Sequence, residues 1–142
     1  MQLRTITLAD YPKLIEFWKE NYFIFDMDSL EHFSIFLEKN PESSVLIEEN
    51  GKIIGTALRS YDGRRGYLQK VVTSKSYRQK GIGIQLVKEV IERLKKAGAV
   101  YVPINVKEQL IPFYEKCGFI RKDSISMSLN TQGDAKPKQS LE

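Results

Sequence analysis

Val71-Val72-Thr73-Ser74-Lys75-Ser76-Tyr77-Arg78-Gln79-Lys80-Gly81-Ile82-Gly83 reads as the end of a β-strand, a basic loop with two spaced glycines, and the start of a helix. Such a junction suits an anion. Glycine lets the backbone approach a ligand, unpaired N–H groups point outward, and the positive end of the helix dipole lies behind them. A phosphate or pyrophosphate is the natural guest, although two glycines equally serve a tight strand-to-helix turn that binds nothing. Two common nucleotide motifs do not fit. A dinucleotide fingerprint needs a third glycine where Leu86 stands, and a Walker A loop needs Lys-Ser/Thr after its second glycine, where the chain has Ile84 and Gln85.

Downstream, the helix is the most regular in the chain. Leu86, Val87, Val90, Ile91 and Leu94 form one stripe between Gly83 and Ala97, Glu89/Arg93 and Glu92/Lys96 pair at i,i+4, and Gly98 is placed as a left-handed cap. Val100 to Val106 then reads as a strand, parallel to its predecessor if the helix is a crossover, with Pro103 unable to donate to a ladder. A short helix from Leu110 to Lys116 ends at Cys117-Gly118, and Ile125, Met127 and Leu129 alternate as a last strand. From Thr131 to Glu142 the chain turns polar and reads as a mobile tail beyond a domain of residues 1–130.

Upstream, Asn50-Gly51 and Asp62-Gly63 separate Val45–Glu49, Lys52–Ser60 and Tyr67–Thr73 into an antiparallel meander, because Asn-Gly supplies the two positive φ angles of a type I′ turn. Before it, Thr7-Leu8-Ala9-Asp10 has the form of a capping box, followed by Tyr11, Leu14, Ile15 and Trp18 at helical spacing. A short strand around Leu3 and Ile6 precedes that helix, and a second helix starts at Ser29 and stops at Asn40-Pro41. Tyr22-Phe23-Ile24-Phe25 between the two helices is either core packing or the aromatic wall of a pocket.

Composition narrows the function. A chain of 142 residues, 42% hydrophobic and 28% charged, is long enough to bury a core without staples. One cysteine, Cys117, and one histidine, His32, make neither an intrachain disulfide nor a Cys/His zinc site, so no metal is expected and a reducing, cytoplasmic setting fits. The start lacks a secretion signal, and no run of 18 apolar residues suggests a membrane span. The net charge of +4 comes from dispersed basic residues, which suits a small anion better than nucleic acid.

Arg78-x-x-Gly81-x-Gly83 after a strand resembles the acetyl-coenzyme A loop of the GNAT superfamily of N-acetyltransferases. A second segment agrees: Pro112-Phe113-Tyr114-Glu115-Lys116-Cys117-Gly118-Phe119 is similar to the segment that follows the fifth strand in that family. The resemblance covers roughly Met1 to Leu129. It implies an α/β (α+β) fold with a mixed, mostly antiparallel central sheet, helices on both faces, and a splay between two strands that holds the cofactor. It implies acetyl-coenzyme A as cosubstrate and a small-molecule or peptide amine as acceptor, attacked directly through a tetrahedral intermediate. Backbone groups of Val71, Val72 and Thr73 would bind the pantetheine arm, and Arg78, Gln79, Lys80, Gly81, Ile82 and Gly83 would wrap the pyrophosphate. Tyr114 matches the tyrosine that protonates the departing thiolate, a nearly balanced transfer between a phenol of pKa ~10 and a thiol of ~8.5.

The chain departs from the family pattern in two places. Many members carry a glutamate as general base on the fourth strand, whereas Tyr67-Leu68-Gln69-Lys70-Val71-Val72 has no carboxylate. Glu108 is a substitute base or a solvated charge. The asparagine usual seven residues before the tyrosine is Lys107 here, with Asn105 two residues earlier. Cys117 as an acetyl-carrying nucleophile, His32 as an acceptor contact and the Arg64-Arg65 turn are weaker candidates. A non-catalytic acyl-coenzyme A-binding module of the same fold is the alternative function. A homodimer through the C-terminal strands is left open.

Overall fold

The computed structural model describes residues 1–132. Four strands, β1 (Gln2–Thr5), β2 (Val45–Glu49), β3 (Lys52–Tyr61) and β4 (Gly66–Thr73), form one antiparallel sheet in the order β1-β2-β3-β4. Four helices accompany them: α1 (Tyr11–Asn21), α2 (Leu30–Lys39), α3 (Ile82–Ala97) and α4 (Ile111–Lys116). The α+β class and the helices on two faces are as the sequence implies.

Local chemistry sets the ends of these elements. Asp10 accepts the Thr7 N–H at 2.8 Å, which opens the first helix with a 3₁₀ turn at Leu8–Asp10. The Ser29 hydroxyl accepts the His32 N–H at 3.2 Å and starts α2. Asn50 (φ 53°) and Gly51 (φ 76°) both take positive φ, the type I′ geometry that matches strand twist. Gly98 (φ 105°) closes α3 with its N–H on Leu94 and Lys95 carbonyls. On the α3 surface Arg93 pairs with Glu89 at 2.9 Å, but Glu92 meets Lys95 at i,i+3 rather than Lys96.

The sheet is buried on both sides. Successive residues alternate, so Leu46, Ile53, Leu58 and Val72 join Leu14, Trp18 and Phe33 beneath α1 and α2, while Val45, Ile47, Ile54 and Ala57 meet Ile82, Leu86 and Val90 beneath α3. Helix α3 can lie this close because β3 and β4 carry glycines under it. A Cβ at Gly55 would stand 2.7 Å from a Leu86 methyl, and one at Gly66 2.7 Å from a Leu94 methyl.

Two expected strands are not formed. Residues 100–106 run beside β4 with one backbone bond, Gly66 N–H to the Tyr101 carbonyl at 2.9 Å, and make no ladder. Pro103 removes a donor in mid-run, and Val100 lies 93% exposed. The parallel member of the sheet is therefore absent among the described residues. Ile125, Met127 and Leu129 pair with no strand among the described residues and stay exposed. Of the polar tail, residues 133–142 lie outside the described residues.

Candidate active site

The far edge of β4 organises the site. One edge is bonded to β3; the other, among the described residues, meets no strand. Along the bonded edge the register steps from Thr56↔Val72 to Leu58↔Gln69, so Lys70 and Val71 together face Ala57 in a bulge, with Lys70 at φ 50°. A bulge leaves one residue outside the ladder and bends the strand there. Between the free edge and residues 103–105 lies a cleft of about 460 Å³, lined by Arg65, Tyr67, Leu68, Gln69, Pro103 and Asn105 among others. That volume is within the range of small-molecule sites.

The basic loop continues from the end of this strand. Val72 turns its side chain into the core, leaving its backbone as the part a ligand could meet. Thr73 ends β4, and its carbonyl accepts the Arg78 Nε–H at 3.3 Å, folding the guanidinium back over the strand end. Gly81 caps α3 in the left-handed region (φ 81°), and its missing side chain would enter open space. The start of α3 has the orphan N–H groups of any helix N-terminus, with Lys80 and Arg78 nearby in the chain, a fit for a polyanion. Gly83 also has a packing role. A Cβ there would lie 3.0 Å from the Phe113 ring and 3.4 Å from the Thr73 hydroxyl. Its role is to seat α4 against the loop.

That seating places Tyr114. Phe113 packs edge-on to Tyr114 at 4.9 Å between ring centroids, and Phe119 does the same from the other side at 5.7 Å. Phe119 reaches back because its N–H and that of Cys117 both close onto the Tyr114 carbonyl at 3.0 Å, with Gly118 at φ 100°. Burial, with lesser contributions from Cys117 and Tyr22, pushes the Tyr114 phenol up to about 12. Structure thus joins Thr73, Gly83, Phe113 and Tyr114 in one chain of contacts.

The weaker candidates separate. Asn105 lines the cleft; Lys107 and Glu108 are exposed at the turn before α4. Burial pushes the Cys117 thiol up, which disfavours a thiolate nucleophile. His32 is exposed, its Nδ1 2.9 Å from the Ser29 hydroxyl. Arg65 does more than sit at a hairpin tip, since it stacks 5.6 Å over the Tyr101 ring at the cleft.

Two residues escape the sequence reading. Asn21, at the end of α1, accepts the Lys75 N–H at 3.0 Å and so ties that helix to the basic loop. No motif marks it. Lys70 buries its ammonium among the aromatic residues 18–25 and pairs with Asp28 at 2.8 Å. Burial pushes its pKa down while Asp28 pushes back. The signal available was a lone cation within a strand flanked by Leu68, Val71 and Val72.

Comparison with known proteins decides the family. Residues 5–119 match the model of the Acetyltransferase (GNAT) family. The chain belongs to that family. Among GNAT relatives, an acetyltransferase of Yersinia pestis (strain Pestoides F) is 26% identical over 131 residues, 89% of this chain and 93% of that one. Glucosamine-6-phosphate N-acetyltransferase from Arabidopsis thaliana superposes with TM-score 0.71 at 26% identity, over 92% of this chain and 97% of that one. A predicted acetyltransferase of Clostridium acetobutylicum, solved with acetyl-CoA, shares the fold at TM-score 0.73 and 19% identity, over 92% and 96% of the two chains. Among the described residues of this GNAT chain, no helix is long and apolar enough to cross a membrane, and no cluster of three or more His, Cys, Asp or Glu could hold a metal.

Proposed function

We propose that this protein transfers an acetyl group from acetyl-coenzyme A to a primary amine of a small molecule or peptide. The observation that carries the reading is the free edge of β4, with an anion-suited loop at its end and Phe113, the neighbour of Tyr114, set against Gly83 of that loop. Backbone groups of Val71, Val72 and Thr73 hold the pantetheine arm as an added strand, and Arg78, Gln79, Lys80, Gly81, Ile82 and Gly83 receive the pyrophosphate. The cosubstrate supplies an activated thioester. A strand N–H at the Val71 bulge donates to the oxyanion as the neutral amine attacks.

As the intermediate collapses and the carbon–sulfur bond breaks, Tyr114 donates its proton to the departing sulfur, and the proton shed by the attacking nitrogen passes to water, from which the phenolate is reprotonated. A phenol at about 12 stays protonated through the working range. Donation to a water-exposed thiolate of pKa ~8.5 would be uphill, but the burial that raises the phenol also raises a thiolate formed beside it. No carboxylate lies on Tyr67–Val72, so an acceptor such as an α-amino group, with pKa ~8, is deprotonated often enough to react without a strand base.

The test is a thermal melt with millimolar acetyl-coenzyme A, followed by thiol release with a panel of amines. Ligand at ~100 times its Kd adds ~2.7 kcal/mol, a rise of several degrees. No shift at any concentration sinks the reading. The missing strand carboxylate favours a second reading, an acyl-coenzyme A-binding module without turnover, which predicts the shift but no thiol release.

A further inference from the structure

Lys70 has no task in the reading above, yet its ammonium is buried among an ion pair, a carbonyl and three rings. Its side chain is 8% exposed. The ammonium donates to the Phe23 carbonyl at 2.7 Å, pairs with Asp28 Oδ2 at 2.8 Å, and lies 5.1, 5.3 and 5.4 Å from the ring centroids of Trp18, Tyr22 and Phe25. Asp28 in turn accepts the Phe25 N–H at 2.8 Å, and its own carbonyl accepts the Tyr11 hydroxyl at 2.7 Å. The backbone end of Lys70 is fixed too. Its carbonyl accepts the Thr56 hydroxyl at 2.8 Å, and that hydroxyl accepts the Trp18 indole N–H at 3.1 Å.

Both features of this residue are costly. A buried ion pair contributes less to stability than an apolar side chain of the same volume often would, and a lysine at φ 50° is strained. They coincide on the residue before Val71, opposite the connection from α1 to α2. With two N–H groups directed at oxygens and three rings over the ammonium, Lys70 is a donor, not a base. What its contacts do is join β4 to residues 22–28 and hold the Tyr22 and Phe25 rings over the ammonium beside that strand.

We propose that Lys70 is a positioning residue of the acceptor side: through Asp28 and the Phe23 carbonyl it clamps the 22–28 connection, with the Tyr22 and Phe25 rings, onto β4 beside Val71, where the reading above sets the attack on the thioester. The proposal rests on the acetyltransferase reading for its consequence and on the contacts alone for the clamp. Cation, carboxylate and aromatic wall act as one unit, so breaking either charge releases the same segment.

The full chain is tested with Lys70→Met and Asp28→Asn, singly and together, using spermidine, glucosamine 6-phosphate and kanamycin as probe amines. Methionine keeps an apolar stem among the rings and removes the charge. For a probe that the wild type acetylates, KM of the amine is expected to rise about tenfold while KM of acetyl-coenzyme A stays within about twofold. The double variant should be no worse than the worse single one, because both changes open one clamp. Lys70→Arg, which can still reach Asp28, should restore most of the loss. An unchanged amine KM in Lys70→Met overturns the proposal, and so does a parallel rise in both KM values, which marks a general loss of structure. If the wild type acetylates none of the three amines, hydrogen exchange of the amides of residues 23–28 decides. Faster exchange in Lys70→Met with an unchanged acetyl-coenzyme A melt shift upholds the clamp, whatever the acceptor; unchanged exchange overturns it. Should Lys70→Met fail to fold, Asp28→Asn and Lys70→Arg carry the same comparison.

Discussion

Residues 2–98 and residues 100–130 are held by different means. In the first stretch every strand has a bonded neighbour and apolar side chains close over both faces of the sheet. In the second, one backbone bond reaches the sheet, and Val100, Ile120, Ile125, Met127 and Leu129 are each at least 85% exposed. The proposed chemistry lies on the seam between them. β4 gives one edge to the stable part and keeps the other, and α4 is seated with the Phe113 ring, next to Tyr114, against Gly83. Stability and site are thus separable, and substitutions should divide accordingly.

The largest effect falls in the first stretch. Leu86 is fully buried, and its methyl fills the notch over Gly55. Leu86→Ala removes that contact and leaves a cavity, so chemical denaturation should show about 3 kcal/mol of lost stability. A loss below about 1 kcal/mol would mean that α3 settles onto the sheet and that the core is less rigid than its burial indicates.

Tyr114→Phe comes next and should act on rate alone. Removing a general acid costs about 10²-fold in turnover, or ~2.7 kcal/mol of barrier. Melting temperature and the acetyl-coenzyme A shift should change little, because Tyr114 donates no hydrogen bond that holds the fold among the described contacts. The pH profile carries a second check. With the phenol pushed up to about 12, the wild type should show no falling limb from Tyr114 between pH 8 and 10. A limb near 10 that disappears in Tyr114→Phe would place the phenol in water instead. Full turnover in Tyr114→Phe would transfer the proton donor elsewhere, and absence of turnover in both proteins would favour the binding module.

This division also explains what could be read from sequence. The capping box at Thr7–Asp10, the Asn50-Gly51 turn and the α3 stripe are local signals, and each is written in residues a few positions apart. The glycine loop and the Phe113-Tyr114 segment were legible for the same reason. The expected strands at 100–106 and 125–129 do not form because a strand needs a partner: Pro103 removes a donor from the first, and the second meets no strand among the described residues. Lys70 and Asn21 were invisible because their partners lie 42 and 54 residues away, at Asp28 and Lys75. At Gly83 packing adds a demand that no local pattern announces, because a Cβ there would stand 3.0 Å from the Phe113 ring.

A smaller effect tests how the first strand is tied down. Arg4 grips Asp10 with two nitrogens, at 2.8 and 3.0 Å, and reaches Glu48 at 3.0 Å. The Arg4 hydrogen bonds, against the opposing effect of burial, hold the Asp10 carboxyl below its usual range. A lowered folded pKa means the stabilisation is present above the ordinary carboxyl range, near pH 4, and is lost as pH falls through the depressed value. Asp10→Asn should therefore cost about 1.5–2 kcal/mol near pH 7 and flatten the acid limb of stability below pH 4. Equal stability of the two proteins at pH 7 would show that Glu48 alone suffices for Arg4.

The smallest effect is expected where the side chains are most apolar. Ile125, Met127 and Leu129 alternate with serines and face solvent, so changing all three to Ser should alter monomer stability by no more than about 0.5 kcal/mol. An exposed alternating stretch is also a template for pairing with another chain. If a second copy covers it, the wild-type melting temperature will rise with protein concentration and the triple variant will lose that dependence. That outcome would break the contrast between the two stretches, because residues 125–129 would then be buried after all, in an assembly rather than in the chain. A melting temperature independent of concentration in both proteins would keep the contrast intact, with residues 125–129 open to solvent.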